Sequence, residues 1–399
     1  MSSANFLEKL LDGVGVEWMS FKELTLPTSN IKWRENQSTH RYIDLSSVSI
    51  ESKQIVETSE ITPHNAPSRA QKLVEKDDVI FATTRPTQLR YCLITEEYTD
   101  EVASTGYCVL RPKKDKILAK WILHWVGSSE FKIYVEENQS GSAYPAISDG
   151  KVKEFKIPIP CPENPKKSLA IQAEIVRILD AFTELTAELT AELTARKKQY
   201  NHYRAKLLSF EGGEMEWKSL GELAENLDSM RKPITSGLRD AGNIPYYGAS
   251  GIVDYVKDYI FDGDFLLVSE DGANLLARNT PIAFSISGKS WVNNHVHVLK
   301  FDTYVERKYV EHYLNSIDLA PYISGAAQPK LNKKSLESIN IPNPVYEEKS
   351  RIVTVLDTFD ALTNSISEGL PRELALRQKQ YEYYRDMLFS FPKPQEVAE

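Results

Sequence analysis

The sequence predicts an α+β protein in which two globular α/β heads are joined by two long helices packed as an antiparallel coiled coil. Three observations predict this fold class. Several stretches of the first half of the chain recur in the same order in the second half, which indicates a pseudo-two-fold repeat. Each repeat contains apolar residues in the alternating three- and four-residue steps of a coiled-coil seam. At 399 residues, the chain is also too long for one ordinary core.

The duplication is clearest in two tyrosine-rich segments. Residues 196–204 read Arg-Lys-Lys-Gln-Tyr-Asn-His-Tyr-Arg, and residues 377–385 read Arg-Gln-Lys-Gln-Tyr-Glu-Tyr-Tyr-Arg. The other matching pairs are residues 175–182 with 352–359, residues 157–160 with 341–344, Glu17-Trp18 with Glu216-Trp217, and Glu23-Leu24 with Glu222-Leu223. The stretches between these anchors do not match, so two similar scaffolds are expected to hold two different heads.

These matches divide the chain into four predicted segments. They are a first head at residues 1–160, a central helical region at 161–212, a second head at 213–345, and a C-terminal helical region with a tail at 346–399. Within the heads, the apolar runs 79–81 and 265–268 predict buried strands. Residues 117–137 and 305–316 predict helices.

The first long helix is predicted from about residue 168 to residue 208, after Pro165 and before Glu211-Gly212-Gly213. Its seam is expected to contain Ile171, Ile175, Ile178, Phe182, Leu185, Leu189, Leu193, Tyr200, Tyr203 and Leu207. Inside it, one tetrapeptide stands twice in succession, as Thr186-Ala187-Glu188-Leu189 and Thr190-Ala191-Glu192-Leu193. Four residues add about one helical turn, ~6 Å, so we interpret the repeat as a ruler that spaces the heads. The alternative is an alanine-rich helix of no special meaning.

The second long helix shows the same apolar stripe. Its members are Ile352, Val355, Phe359, Leu362, Ile366, Leu370, Leu374, Tyr381, Tyr384 and Leu388. Gly369-Leu370-Pro371 interrupts the stripe, and we expect a kink or a restart there because proline removes a backbone donor. Two such stripes bury each other most simply when the helices run antiparallel.

The composition indicates a cytoplasmic globular protein and does not by itself indicate nucleic acid. No run approaches the ~20 apolar residues that cross a bilayer, and the first residues lack the pattern of an export signal. Cys92, Cys108 and Cys161 have no paired spacing and are interpreted as reduced thiols. The net charge of −8 counts against DNA binding unless basic residues cluster on one face or partner subunits contact the phosphates.

Each head nevertheless contains a loop of small residues, 141–145 or 325–329, followed by a basic stretch. Lysines and backbone amides hold phosphates, whereas asparagine, glutamine and arginine read base edges. The candidate DNA contacts of the first head are Thr83, Thr84, Arg85, Gln88, Arg90, Tyr144 and Lys151. Those of the second head are Gly248, Ser250, Asn274, Arg278, Asn293, Asn294, His295, Gln328 and Lys330. For each of them, an ordinary surface or turn residue is the alternative.

Three short motifs do not support catalysis or metal binding. Gly288-Lys289-Ser290 lacks the glycine that a phosphate-binding loop needs five residues earlier, where Ala283 stands. Residues 343–346, Asn-Pro-Val-Tyr, lack the second proline of the adenine-methyltransferase tetrapeptide and predict a strand-to-helix junction. His295 and His297 face one side of a predicted strand, but no carboxylate or cysteine partner is evident. No catalytic residue and no metal site is therefore predicted.

This organisation resembles the specificity (HsdS) subunits of type I restriction-modification systems over essentially the whole chain. The Thr-Ala-Glu-Leu repeats, the Arg-Lys-Lys-Gln-Tyr segment at 196–200 and the segment Gly-Leu-Pro-Arg-Glu at 369–373 resemble the type IC subgroup in particular. In the second head, residues 267–274 and 291–295 resemble a recurring type of target recognition domain.

The resemblance implies a non-catalytic subunit in which each head, a target recognition domain, reads one half of a bipartite, asymmetric double-stranded DNA site. It implies that the number of four-residue repeats sets the spacer between the half-sites. The helices would dock two methyltransferase subunits, which bind S-adenosylmethionine and methylate adenine. With motor-nuclease subunits added, the assembly would cut unmethylated DNA using ATP and magnesium. The resemblance thus implies that this chain itself binds no cofactor.

Two other classes of function stay open from the residues alone. A self-sufficient methyltransferase or nuclease needs a cofactor loop or a carboxylate cluster, and neither is identifiable in the sequence. A coiled-coil adaptor with protein-binding heads would show no sequence-selective DNA binding when methyltransferase subunits are present.

Overall fold

The computed structural model describes residues 4–210, 215–278, 280–325, 328–365 and 367–393. The chain divides into two compact units. Unit 1 is formed by Met1–Thr190 together with Leu374–Glu399, and unit 2 is formed by Ala191–Glu373. In the part of the chain that the structure describes, no helix is long and apolar enough to cross a membrane.

Unit 1 combines three small sheets with short helices. Its strands are Val16–Ser20, Thr25–Leu26, His40–Ile43, Ser59–Ile61, Ala70–Leu73, Val79–Ala82, Tyr91–Leu93, Val102–Ser104, Tyr107–Pro112 and Lys156–Pro160. Its helices are Ala4–Leu11, Phe21–Leu24, Leu45–Ser47, Pro86–Gln88, Glu96–Tyr98, Ala119–Val126, Ser129–Asn138, Asp149–Glu154, and the parts of Pro165–Leu208 and Gly369–Leu388 that fall in this unit. The predicted strand at 79–81 is confirmed, and the helical stretch predicted at 117–137 is confirmed as two helices.

The first head is built around an antiparallel sheet of four strands. Their order is Thr25–Leu26, Tyr107–Pro112, Val79–Ala82 and Tyr91–Leu93. Phe81 of the central strand lies in one core with Trp121 and Trp125 of the helix Ala119–Val126, and all three side chains are fully buried. A second four-stranded sheet has the order Ser59–Ile61, His40–Ile43, Val102–Ser104 and Ala70–Leu73, with its two middle strands parallel.

Unit 2 contains a larger sheet. Its strands are Trp217–Ser219, Glu225–Asn226, Ala241–Gly248, Gly251–Val256, Phe261–Ser269, Ala283–Val292, Val296–Lys300 and Asn340–Pro342. Its helices are Leu220–Leu223, Asp228–Met230, Ser236–Leu238, Asn274–Ala277, Tyr304–Ser316, Ala320–Tyr322, Lys333–Glu337, Tyr346–Asn364, and the remaining parts of the two helices shared with unit 1. The strand predicted at 265–268 and the helix predicted at 305–316 are confirmed.

The second head differs from the first in its sheet. Six strands have the order Glu225–Asn226, Val296–Lys300, Phe261–Ser269, Ala283–Val292, Ala241–Gly248 and Gly251–Val256. Only the pairing of Ala241–Gly248 with Ala283–Val292 is parallel. Leu266 and Val268 of a central strand share a core with Tyr309, Val310 and Leu314 of the helix Tyr304–Ser316. The first four of these strands repeat the order and the antiparallel pairing of the four-stranded sheet in the first head, and the last two strands are an addition in the second head.

The duplicated anchors, by contrast, form the same local structure in both units. Trp18 pairs with Pro158 in a short antiparallel ladder, and Trp217 pairs with Pro342 in another. These ladders join the beginning of each head to its end. The repeated Glu-Trp and Ile-Pro segments are thus explained by strand pairing.

A second repeated anchor caps a short helix in each head, Phe21–Leu24 in the first and Leu220–Leu223 in the second. Glu23 and Glu222 are the acidic members of two capping boxes, whose N-cap residues are Ser20 and Ser219. In both, the serine backbone N–H donates to the glutamate Oε2 at 2.8 Å. The Glu-Leu repeat is therefore explained by helix capping.

The tyrosine-rich repeat packs on the other helical region in each unit. In unit 1, the rings of Phe182 and Tyr384 stack with centroids 5.4 Å apart, and in unit 2 those of Phe359 and Tyr203 stack at 5.6 Å. Both phenylalanines come from the matching segments 175–182 and 352–359. The predicted fold class, with two α/β heads on long helices in a repeated arrangement, is confirmed.

The long helix begins at Pro165 and continues to Leu208, so it starts earlier than predicted. Proline is tolerated at the first helical position because its missing N–H would have no partner within the helix. Leu189 and Leu193 are half-buried, but Leu185 is exposed, so its placement in the seam was wrong. Thr186 takes its place because a step of four from Phe182 follows the helical period more closely than a step of three. The predicted helix end at residues 211–213 lies outside the described residues.

The three cysteines are free and buried. Burial raises the pKa of Cys92 and that of Cys108 to about 12, so both thiols are protonated at neutral pH. The assignment of reduced thiols stays a prediction.

The break in the C-terminal helical region is a restart. Tyr346–Asn364 ends, and a new helix, Gly369–Leu388, begins. Gly369 has φ of +73°, and a Cβ placed on it would overlap the Ala361 carbonyl and lie 2.7 Å from the carbonyl oxygen of Leu362. Only glycine fits this turn. Ile366, predicted on the apolar stripe, lies outside the described residues.

Gly369→Ala is therefore expected to lower the free energy of unfolding by about 1–3 kcal/mol, because the new side chain is strained at positive φ and meets backbone oxygens. Denaturant unfolding of the full chain measures the change. Gly237→Ala is the matched control, since a Cβ there meets no atom within 4 Å. An equal loss in both variants would contradict the assignment.

Candidate nucleic-acid interface

In the first head, two neighbouring loops form one structural element, which we call loop pair 1 (residues 83–88 and 140–147). The second of these loops is closed at its base by Ser140 and Ala146, whose backbones exchange two hydrogen bonds of 2.8 Å. The loop contains the small residues that the sequence analysis singled out. Its backbone is therefore held in one conformation although it belongs to no regular strand.

The second head contains the same element, loop pair 2 (residues 270–274 and 324–331). Here Ser324 and Lys330 exchange backbone hydrogen bonds of 2.9 and 2.8 Å. Residues 326 and 327 of this loop lie outside the described residues. Two heads with different sheets thus carry loops that are closed in the same way.

The hydrogen bonds that join the two loops of each pair also correspond. They run from Arg85 N to Pro145 O (2.7 Å) and from Ile147 N to Thr83 O (2.9 Å) in loop pair 1, and from Gly272 N to Pro329 O (3.2 Å) and from Leu331 N to Glu270 O (2.8 Å) in loop pair 2. The sequence carries a signal for this element that was missed. Both closed loops begin with Ser-Gly and have a proline four residues after the glycine.

One glycine in each closed loop is required by the geometry. Gly141 has φ of +93°, and a Cβ on it would lie 2.9 Å from the carbonyl oxygen of Tyr144. Gly325 has φ of +85°, and a Cβ there would lie 2.5 Å from the carbonyl oxygen of Gln328. In both loops, therefore, a side chain on the glycine would meet the carbonyl oxygen of the residue three positions later, which is tyrosine in one loop and glutamine in the other.

Loop pair 1 presents aromatic and basic groups to solvent. Tyr144 is 78% exposed, and the guanidinium of Arg85 lies 5.8 Å from the centroid of its ring. Arg85 adopts a left-handed backbone conformation with φ of 49°. Gln88 is exposed on the same loop, and Thr84 is half-buried. The structure thus brings four of the predicted contact residues together.

Loop pair 2 lies beside a turn that also contains predicted contacts. The exposed candidates here are Asn294, His295, Gln328 and Lys330. Nδ1 of His295 lies 2.7 Å from Oδ2 of Asp271, and Nζ of Lys330 lies 3.0 Å from Oε1 of Glu270. These acidic partners lower the positive charge of the surface, so a phosphate would compete with a carboxylate for Lys330.

Two predicted contacts of the first head are held inside it. Thr83 is buried, and its Oγ1 donates a hydrogen bond to the Gly106 carbonyl oxygen at 2.9 Å. Arg90 donates from Nη1 to the Leu45 carbonyl oxygen at 2.7 Å. In this structure, both side chains support the loop at 83–88. Their assignment to DNA contact stays a prediction.

The second head also holds three predicted contacts inside. Asn274 is half-buried; its Nδ2 donates to the Thr280 carbonyl oxygen, and its Oδ1 accepts from the Thr280 backbone N–H, both at 3.0 Å. Arg278 donates to the Ile317 carbonyl oxygen at the end of the helix Tyr304–Ser316. Asn293 is only 8% exposed. These contacts explain local structure and leave a DNA role untested.

The remaining candidates have diverse environments. Gly248 is buried at a strand end beside the amide of Asn293, and Ser250 is exposed in the turn that follows. Lys151 is exposed and pairs with Glu154 at 2.8 Å. Neither Ser250 nor Lys151 belongs to a loop pair.

Sequence reasoning also missed a buried network of charges in the second head. His297 was expected to have no carboxylate partner, but its Nδ1 lies 2.6 Å from Asp228 and 3.9 Å from Glu270. Arg231 contacts Glu270 at 2.6 Å, and Lys330 contacts its other oxygen at 3.0 Å. Burial alone would raise the pKa of Glu270, but hydrogen bonds from these two cations lower it overall. Because cationic side chains already neutralise the carboxylates, we interpret the cluster as an ion-pair network.

The two other short motifs form ordinary secondary structure. Gly288-Lys289-Ser290 lies within the strand Ala283–Val292. Asn343 follows the strand Asn340–Pro342, where its side chain accepts from Lys349 Nζ at 2.6 Å and donates to Glu216 at 2.7 Å. The prediction of a strand-to-helix junction is confirmed.

Comparison with known families matches the chain twice. The family of the type I restriction modification DNA specificity domain matches residues 28–196 and again residues 213–376. The two matches cover well over half of the chain and follow the duplication seen in its anchors.

The chain is also similar to other proteins over nearly its whole length. The chain is 37% identical over 424 residues to the type I restriction enzyme EcoR124I/EcoR124II specificity subunit of Escherichia coli, with 100% of both chains covered. It is 32% identical to the type I restriction enzyme EcoprrI specificity subunit of Escherichia coli, covering 92% of this chain and 93% of that one.

Two solved structures have the same fold. One belongs to a study of complex assembly and conformational transition in a type I R-M system, with a TM-score of 0.63, 22% identity, and coverage of 94% of this chain and 97% of that chain. The other is the type I restriction-modification S subunit from M. genitalium, with a TM-score of 0.58, 16% identity, and coverage of 96% and 98%. At these identities, the likeness supports the fold alone.

Proposed function

Because the chain belongs to the type I restriction-modification DNA specificity family, we propose that each of its heads reads one half of a bipartite, asymmetric DNA site. The chain is the non-catalytic specificity subunit of such a system. The proposal assigns one half-site to the first head (residues 1–160) and the other to the second head (residues 213–345). Loop pair 1 and loop pair 2 are the elements that would approach the bases.

The observation that carries this proposal is the shared backbone of the two loop pairs. Each head has four antiparallel strands in the same order, and beside them it holds loops with corresponding hydrogen bonds whose exposed side chains differ. Arginine and glutamine can read base edges, and lysine can hold phosphate. A fixed backbone with variable exposed side chains is what reading two different half-sites would require.

The partners follow from the family and from the charge of the chain. We infer that the helical regions, residues 161–212 and 346–399, dock two methyltransferase subunits, and that motor-nuclease subunits join through this complex. S-adenosylmethionine, ATP and magnesium would then be bound by those subunits. A chain with a net charge of −8 needs such partners to supply phosphate contacts around the duplex.

The repeated tetrapeptide supports a spacer role for the long helix. Within residues 186–193, only Thr186, Leu189 and Leu193 are half-buried, and the other five residues are exposed. A turn can therefore be added or removed here without opening a hydrophobic core. This exposure is compatible with the ruler, and deletion of one tetrapeptide distinguishes the ruler from an alanine-rich helix of no special meaning.

The proposal is tested by mapping methylated adenines in a genome that expresses the chain with its methyltransferase subunits. Tyr144→Ala is expected to weaken base discrimination at one half-site by about 1–3 kcal/mol, roughly 5- to 150-fold, because loop pair 1 loses an aromatic side chain that is 78% exposed. The other half-site should be unchanged. Val56→Ala removes a side chain of similar exposure (65%) elsewhere in the first head and serves as the control.

Two outcomes would count against the proposal. If the complex methylated no bipartite site, the specificity role of the heads would be rejected. If Tyr144→Ala changed the bases read at both half-sites, the heads could not be independent readers.

A further inference from the structure

Each head is fastened to a long helix by the same set of charged side chains. The acceptors are Asp180 and Asp357, which occupy equivalent positions in the matching segments 175–182 and 352–359. A lysine and a histidine from one helix of the head contact the carboxylate of each aspartate. We call each set of three residues a latch.

In unit 1, the latch consists of Lys120, His124 and Asp180. Lys120 Nζ lies 2.6 Å from Oδ2 of Asp180, and His124 Nε2 lies 3.0 Å from Oδ1. The other ring nitrogen of His124 lies 3.1 Å from the hydroxyl of Tyr381, which belongs to the helix Gly369–Leu388. The latch therefore connects the head to both helical regions within this unit.

In unit 2, the latch consists of Lys308, His312 and Asp357. His312 Nε2 lies 2.8 Å from Oδ1 of Asp357, and Lys308 Nζ lies 3.6 Å from the same oxygen. The hydroxyl of Tyr304 donates to Oδ2 at 2.7 Å. A tyrosine thus joins this latch as well, although it comes from the head.

The latch reveals a match between head sequences that otherwise differ. Residues 120–126 read Lys-Trp-Ile-Leu-His-Trp-Val, and residues 308–314 read Lys-Tyr-Val-Glu-His-Tyr-Leu. Lysine and histidine four positions apart lie on one face of a helix. The aromatic and aliphatic residues between and after them are buried in the core of each head. One face of the helix therefore packs the head, while the other meets the scaffold.

The histidine of each latch is buried. His124 is 5% exposed, and His312 is 4% exposed. Burial alone would raise the pKa of Asp180, but hydrogen bonds from His124 and Lys120 lower it overall. For Asp357, burial acts in the same direction, and hydrogen bonds from His312 and Tyr304 lower its pKa overall. The charged carboxylate is thus the favoured form at both positions.

We propose that Lys120 with His124, and Lys308 with His312, are positioning residues that hold each reading head at a set angle on its helix through Asp180 or Asp357. The inference rests on the proposed reading of two half-sites. It adds that the spacing accepted by the subunit depends on the latches as well as on helix length. It also defines a requirement for any head carried by this scaffold, namely a lysine and a histidine four residues apart.

The test measures methylation by the complex of this chain with its methyltransferase subunits. The substrate is a DNA library in which the two half-sites are kept and the spacer length is varied. Asp180→Asn keeps the shape of the side chain and removes its charge. The measured quantity is the methylation rate at the preferred spacer divided by the rate at spacers one base pair longer or shorter. In the Asp180→Asn variant, this ratio is expected to fall roughly 2- to 30-fold. The half-site bases should not change, and Asp180→Glu should restore part of the ratio.

Glu174→Gln is the matched control, because Glu174 forms an exposed pair with Arg177 on the same helix at 2.7 Å. It should leave the ratio unchanged. If Asp180→Asn does not give a folded complex, Lys120→Met replaces it, since this lysine is 47% exposed and its loss leaves the core intact.

The outcomes separate this inference from the proposed function. A wild-type complex that methylates no bipartite site would overturn the proposed function. A wild-type complex with a defined spacer, and latch variants that lose stability or overall rate but keep the ratio, would show a purely structural contact and overturn the inference.

Discussion

Deletion of residues 190–193 from the long helix is expected to shorten the preferred DNA spacer by about one or two base pairs and to leave both half-sites unchanged. The deletion removes ~6 Å of helix, and base pairs are stacked ~3.4 Å apart along the duplex. A site with the original spacer would then place at least one head out of register. Methylation at that site is expected to fall about 100-fold or more, because several base contacts of ~1–3 kcal/mol each are lost.

The measurement is a competition between DNA fragments that differ only in spacer length, methylated by the complex. Thr190→Ala keeps the length of the helix and is the matched control, with no expected change in the preferred spacer. A deletion variant that kept the original spacer would reject the ruler, and one that read different bases would show that the helix shapes the heads themselves.

The second prediction with a large effect is a loss of stability from a substitution just after the helix Gly369–Leu388. Phe389→Ala is expected to lower the free energy of unfolding by about 3–5 kcal/mol, since the side chain is buried and the cavity left behind cannot refill. Its ring stacks on Trp125 with centroids 4.2 Å apart, and it meets the edge of Trp121 at 5.5 Å. Tryptophan fluorescence during denaturant unfolding of the full chain therefore reports directly on this contact.

Leu376→Ala is the control, because Leu376 is 46% exposed on the same helix, Gly369–Leu388. Its effect should stay within about 0.5 kcal/mol. If both variants lost equal stability, the large effect would come from a general weakening of the helix rather than from the aromatic core.

The helical regions and the anchors beside them could be predicted because similar segments occur in both halves of the sequence. Segments that repeat, such as Glu23-Leu24 with Glu222-Leu223, have local causes that depend on near neighbours, and a capping box needs only a serine three residues before the glutamate. The long helix was likewise predictable from its apolar spacing. Its start, which lies at Pro165, and the seam position at Leu185 were predicted wrongly. Steps of three and of four both occur along a helical stripe, so the apolar spacing alone does not fix where a step of four falls.

The directions of the head side chains could not be predicted. Arg90 and Arg278 have the composition of base readers, but each donates to a carbonyl group more than thirty residues away in the sequence. No local pattern reveals such a partner. The latch was missed for a related reason. The two helix segments share only a lysine and a histidine, which could match by chance. The match became meaningful only when the structure placed both pairs against equivalent aspartates.

The tight turns at Gly141 and Gly325 have a consequence for how new target preferences arise. Their shape depends on glycine and on main-chain bonds, so the neighbouring positions occupied by Tyr144 and Gln328 are free to vary without rebuilding the domain. Under the proposed function, substitutions at these two positions would change the bases that a head reads and would leave the helical regions as they are.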